Sequence, residues 1–206
     1  MSNESQWLNW AMELQALGQS GEAYAGNIFD QERYARIRQI AVEMLAAATG
    51  LPREKVANLF CNETGYQTPK LDTRTAIVKD GKILLVQEAD GRWALPGGWA
   101  DVGLSIAENA KKETLEEAGL VMKPLKLVAL LDRSRNNPGQ SPYSIQKAFI
   151  LGEALSGSFI PNTETLDSAY FSLDALPPLA EEKTTKAQLA MCLEAAASKH
   201  WQTLFD

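Results

Sequence analysis

Gly97-Gly-Trp-Ala-Asp-Val-Gly103 and, shortly after, Lys112-Glu-Thr-Leu-Glu-Glu-Ala-Gly-Leu120 are the most informative stretches of this 206-residue chain. On a helix, Glu113, Glu116 and Glu117 stand at i, i+3 and i+4, within about 100° of one another, so three carboxylates project from one side. Each like-charge pair at that spacing costs about 0.2–0.5 kcal/mol even on an exposed helix. A hard divalent cation such as Mg²⁺ or Mn²⁺ removes that repulsion, because it prefers oxygen ligands. Ala107, Ala110, Thr114 and Ala118 make the neighbouring face small enough to pack closely on a sheet. Gly119 supplies a C-cap, and Gly97 and Gly98 let backbone approach an ion or ligand. Read alone, the three glutamates also suit a solvated acidic helix face; the glycine loop at fixed distance argues for a site.

Outward from this segment, the chain divides in two. The first 62 residues read as helices. Trp7, Trp10, Ala11, Leu14 and Leu17 recur at helical spacing, and Gly18 and Gly21 then interrupt the run. Asp30 is a candidate N-cap for a second helix with Tyr34, Ile37, Ala41, Met44, Leu45 and Ala48 inward, stopped by Gly50. Pro52 suits the first turn of a third, short helix carrying Val56, Leu59 and Phe60. A helical unit of this size is marginal alone. Its two tryptophans are expected to be buried against the rest of the chain or a second copy, which predicts a homodimer. Residues 63–72, with Gly65 and Pro69, read as a linker. From Thr73 to the end, short β-rich runs flank turn signals. Thr75–Val78 and Ile83–Val86 surround Asp80-Gly81, a hairpin signal. Later strands are expected at Leu127–Leu131, Ala148–Leu151 and Tyr170-Phe171, with helices near Ser105–Ala118 and Thr184–Ala197. The pattern is α+β, a sheet sandwiched by helices after an all-helical N-terminal domain.

Composition excludes much other chemistry. With 20 Lys+Arg against 26 Asp+Glu the formal net charge is −6, which disfavours membrane or extended nucleic-acid binding. The single His200 makes a Ser-His-Asp or Cys-His arrangement improbable. Cys61, Cys192 and His200 lack zinc-ligand spacing and read as packed thiols and a structural histidine. Two distant cysteines, no secretory signal and no long apolar run lead us to expect a cytoplasmic protein.

The acidic segment resembles the Nudix box, G-x5-E-x7-R-E-U-x-E-E-x-G-U with U aliphatic. Gly98, Glu113, Glu116, Glu117, Gly119 and Leu120 match, six of nine specified positions. Leu104 stands where the pattern has its first Glu, Lys112 replaces Arg, and Thr114 replaces an aliphatic residue. Lys keeps the charge but loses the bidentate fork. Arg92-Trp-Ala-Leu-Pro-Gly-Gly98 also resembles the run leading into the box. The N-terminal helices, Cys61 to Lys70 and the ending His200-Trp201 to Phe205-Asp206 resemble a bacterial subgroup in which a helical domain precedes the Nudix domain. That subgroup includes CDP-choline and ADP-ribose pyrophosphatases.

The resemblance implies a Nudix α/β/α sandwich, a dimer, and Mg²⁺-dependent hydrolysis of a nucleoside diphosphate derivative. CDP-choline is the leading candidate and ADP-ribose the alternative. Hydrolysis at RNA ends and a non-catalytic nucleotide-binding sensor or adaptor are the other readings; Leu104 and Lys112 keep the sensor reading open. For the hydrolase, Glu116 and Glu117 are candidate metal ligands and catalytic residues. Glu113 is a further ligand or orienting partner, and the Gly97 carbonyl an additional ligand. Arg74, Arg133, Arg135 and Lys147 are candidate phosphate contacts. Trp93 and Trp99 could stack on a base, or Trp93 could pack in the core. Glu164 is a candidate supporting acid.

Overall fold

The computed structural model describes residues 3–60 and 62–206, so Cys61 lies outside the described residues. It forms two compact units, residues 1–69 with 140–144, and residues 70–139 with 145–206.

The first unit holds α1 (Asn3–Tyr24), α2 (Ile28–Thr49) and α3 (Arg53–Phe60). Gly18 and Gly21 do not interrupt α1. A Cβ at Gly21 would lie 2.2 Å from the Tyr34 ring, and one at Gly18 would lie 2.7 Å from Arg38 Cγ. They are points of close approach to α2, where the absence of a side chain is what packing needs. Asp30 is not the N-cap of α2; Asn27 is, and its side chain accepts the Asp30 N–H. Gly50 ends the helix in the left-handed region, as expected. The buried face of α1 is Ala11, Gln15, Gly18 and Gln19. Trp7 and Trp10 stay 55% and 44% exposed within the chain, so of the two expected covers the chain itself does not supply one. Their rings meet edge to face at 5.3 Å. The small core joins Ala11, Val42, Leu45, Val56 and Phe60, with Tyr143 packed against it.

The second unit is a mixed sheet covered on both faces. Its strands are β1 (Lys70–Lys79), β2 (Lys82–Glu88), β3 (Trp93–Ala94), β4 (Leu120–Asp132), β5 (Ile145–Gly157), β6 (Thr165–Phe171) and β7 (Leu204–Phe205). The order is β3-β2-β1-β5-β4-β7, with β6 also on β2. β1 runs parallel to β5 from Lys70 to Ile77, then turns through Asp80-Gly81 into β2. Both turn residues have positive φ, 52° and 71°, the hairpin geometry that twists with its strands. Alternation along β2 divides the core: Leu84 and Val86 pack with Ala110 and Ala118 of α4 (Ile106–Ala118), while Ile83 and Leu85 pack with Leu189, Cys192 and Ala195 of α6 (Lys186–Ala197). A short helix, α5 (Arg133–Asn136), follows β4. Capping boxes open both long helices, Ser105 with Glu108 and Thr185 with Gln188. The result is the expected α/β/α sandwich. Among the described residues no helix is long and apolar enough to cross a membrane.

Candidate active site

A cleft of about 500 Å³ opens in the second unit between the C-terminal half of α4, the glycine loop and the start of β1. The loop is fixed to β1 as an irregular extra strand. Three backbone bonds hold it: the Thr75 N–H donates to Pro96 O, the Thr73 N–H to Gly98 O and the Ala100 N–H to Leu71 O, each at 2.8 Å. Gly97 has φ 145°, and a Cβ there would lie 1.9 Å from the Thr73 carbonyl oxygen. Only glycine fits. The Gly97 N–H points at α4 and donates to Glu117 Oε2 at 2.8 Å. Gly98 faces Glu113, whose Oε2 would be 2.9 Å from a Cβ at that position. The two glycines and two of the glutamates therefore interlock across the cleft.

The three box glutamates occupy different environments. Glu113 is buried, Glu117 half-buried and Glu116 exposed. Burial pushes the Glu117 carboxyl up to about 7; the Gly97 N–H and Arg74 oppose this, and the nearby Glu113 adds to it. Lys112 stands among the other acids, its Nζ 3.0 Å from Glu116 Oε2, 3.1 Å from Glu113 Oε1 and 3.2 Å from Asp101 Oδ2. Hydrogen bonds to Glu116, then Glu113, then Asp101 hold its pKa above the ordinary lysine value. Those three carboxylates converge on the ammonium, and among the described residues no group of three His, Cys, Asp or Glu side chains is already arranged around a metal position. The donors available are nonetheless carboxylate and peptide oxygens, a set that fits a hard cation and not a soft one.

The opposite wall is basic. Arg74 is buried, its Nε and Nη2 forked onto Asp72 at 3.0 and 3.1 Å and its Nη1 on Leu95 O at 3.2 Å. Burial opposes its charge, but Asp72, with Glu117 and Glu88 beyond, keeps its pKa above the ordinary value. Lys147 is only 2% exposed. Its ammonium donates to Lys183 O, to Glu182 O at 3.4 Å and to Asn137 Oδ1 at 3.4 Å. Burial, then the like charge of Arg74, pulls its pKa down to about 7, while Asp72 pulls it back. Arg133 lines the cleft with its guanidinium on Gly139 O and Pro138 O. All three basic side chains are therefore held by protein acceptors.

The remaining expected residues separate. Trp99 and Glu164 line the cleft, and Trp99 is 52% exposed. Trp93 does not. It is buried in the core with its ring edge on Phe171 at 4.9 Å, so it has no face to offer a base. Arg135 is exposed and lies outside the lining. His200 is exposed and also outside it, and Cys192 is fully buried, its thiol pushed up to about 12 by burial. Reasoning from sequence missed Asp72, Asp101, Glu182 and Lys183, all of which line the cleft. Asp72 had a signal: at i and i+2 on a strand it shares a face with Arg74. Two loop groups bind the end of α4, Asn162 Nδ2 donating to Glu116 O and Thr165 Oγ1 to Glu117 O, each at 2.9 Å.

Comparison with known proteins agrees with this arrangement. Residues 69–191 match the family model of the NUDIX domain, and residues 5–60 that of the UDP-X-like, N-terminal oligomerisation domain. The chain is 36% identical over 204 residues to the putative ADP-ribose pyrophosphatase YjhB of Bacillus subtilis, covering 98% of each chain. A crystal structure of a UDP-X diphosphatase is 34% identical, with TM-score 0.64, covering 98% of this chain and all of that one. A crystal structure of an ADP-ribose pyrophosphatase from Streptococcus suis is 55% identical, with TM-score 0.64, covering 68% of this chain and all of that one. A sheet packed between α4 and α6, a glycine loop interlocked with helix glutamates, and these matches have one reading: the chain belongs to the Nudix hydrolase family.

Proposed function

We propose that this Nudix hydrolase cleaves the pyrophosphate linkage of a nucleoside diphosphate derivative, with ADP-ribose the first substrate to test. The observation that carries this reading is the two-sided cleft, acidic on α4 and basic on β1 and β5. A diphosphate meets the fixed cations of Arg74, Lys147 and Arg133 on one side and needs a cation between itself and the glutamates on the other. Held by Glu113, Glu116 and Glu117 with the Gly97 carbonyl, Mg²⁺ would polarise a phosphoryl oxygen and lower the pKa of a bound water. Water attacks one phosphorus, the P–O–P bond breaks, and the products are a nucleoside monophosphate and a phosphorylated second group. A cleft carboxylate takes the proton of the water. The exposed face of Trp99 is placed to stack on the base.

The relatives named for ADP-ribose and for UDP-X favour these classes over the CDP-choline expected from the sequence. In the same reading the protein acts in the cytoplasm as a homodimer, paired through its N-terminal helices. The test is incubation with ADP-ribose, a UDP-sugar and CDP-choline in Mg²⁺, following release of the nucleoside monophosphate by chromatography, with a chelator control. Release from ADP-ribose, abolished by the chelator, is expected. Tight nucleotide binding with no product from any of the three would refute hydrolysis.

A further inference from the structure

The family pattern places its first glutamate at the position of Leu104, so one carboxylate is missing from the chain's version of the box. Leu104 and Asp101 close the same turn, the Leu104 N–H donating to Asp101 O at 3.2 Å. The turn therefore carries a carboxylate at its first residue where the pattern carries one at its last. That carboxylate reaches Lys112, 3.2 Å from Nζ. The turn is also pinned to α4. Asn109 is fully buried; its Oδ1 accepts the Asp101 N–H at 3.0 Å and its Nδ2 donates to Thr73 Oγ1 at 2.8 Å and to Trp99 O at 3.3 Å. Asn109 and Lys112 are three apart on the helix and share a face.

A lysine ammonium has three protons to donate and no fork to set its direction, so its place depends on the acceptors around it. Here there are three, two of them on the glutamates that line the cleft. With those two alone, the ammonium would have acceptors only on its own helix. Asp101 adds an anchor on the loop side, while Lys112 Nζ stays 3.0 Å from Glu116 and 3.1 Å from Glu113, with Glu113 Oε2 turned toward Gly98. We propose that Asp101 is a positioning residue that replaces the carboxylate missing at 104, acting through Lys112 to fix the orientation of Glu113 and Glu116 toward a cation.

This rests on the hydrolase reading, and the test separates the two. Mn²⁺ affinity of the full-length protein is measured by electron paramagnetic resonance, alongside thermal melting, kcat and KM. Asp101→Asn is expected to weaken Mn²⁺ binding about 10-fold with little change in melting, as removal of an outer partner does. Adding Leu104→Glu in the same chain restores most of the affinity. In a Lys112→Met background, Asp101→Asn has no further effect, since its partner is gone. Unchanged affinity in Asp101→Asn, no recovery with Leu104→Glu, or an equal loss with and without Lys112 would each overturn the proposal. Wild-type protein that binds no Mn²⁺ would remove the hydrolase reading and this one with it; wild-type binding lost in Glu117→Gln but intact in Asp101→Asn overturns the Asp101 role alone.

Discussion

The two units of the chain use their apolar residues in opposite ways. In the hydrolase unit the core is built from large apolar side chains, with Ile83, Leu85 and Phe149 fully buried. In the helical unit Trp7, Trp10, Leu17 and Tyr24 are 44–72% exposed, while the inward face of α1 carries two glutamines and a glycine. Gln15 Nε2 donates to Gln19 Oε1 at 3.1 Å, and Gln19 Nε2 to Gly65 O at 3.0 Å. One unit completes its core within the chain. The other keeps an apolar belt outward and settles its interior by hydrogen bonding and close helix approach, as suits a surface meant for a partner.

That division can be broken at several points. The largest effect is expected from Glu117→Gln, which should lower turnover about 100-fold or more while the sedimentation mass stays the same. Near-normal turnover would remove Glu117 from the site. Next come the glycines. Gly97→Ala forces a Cβ against the Thr73 backbone and should cost about 3 kcal/mol or more of stability in denaturant titration. Gly21→Ala meets the Tyr34 side chain, which can yield, and should cost about 1–2 kcal/mol. If the two losses came out equal, the contrast between a backbone clash and a side-chain clash would fail. If the chain pairs through its N-terminal helices as proposed, Trp7→Ser with Trp10→Ser should halve the sedimentation mass without a large change in turnover per chain. A mass that remains double would place the pairing surface elsewhere. The smallest effect concerns Thr114, fully buried with its Oγ1 lacking a hydrogen-bond partner. Thr114→Val, which returns an aliphatic residue to that position, should stabilise the hydrolase unit by about 1 kcal/mol. A loss of stability would mean that the hydroxyl has a partner in solution.

Where pattern and structure agreed, the signals were local. Ser105 and Gly119 bound α4 at its two ends, and Asp80-Gly81 set the first hairpin. β4 runs from Leu120, well before the expected Leu127, because Lys123, Pro124 and bulges at three places break its alternation. α1 was misread at its glycines: Gly18 and Gly21 mark close approach to α2 inside a continuous helix, which local pattern does not distinguish from a break. In the site, the glutamates were legible from helix geometry and Arg74 from its strand. The fixed state of Lys147 was not, since its acceptors come from residues 137, 182 and 183. Asp101 was invisible for a related reason: a turn has no period from which direction can be read.

The last turn of α4 carries Glu116 and Glu117 and no basic residue. A helix C-terminus presents about half a negative charge of its own, so the carboxylates sit where the macrodipole opposes them. The donors from Asn162 and Thr165 satisfy the carbonyls there but bring no positive charge. Lys112 on Glu116 and Arg74 near Glu117 offset part of this repulsion, and a bound cation would offset more. Folding stability should accordingly follow free Mg²⁺, rising by about 2.7 kcal/mol at a hundred times the dissociation constant. A melting curve taken across Mg²⁺ concentrations would read the metal affinity of the site without any substrate present.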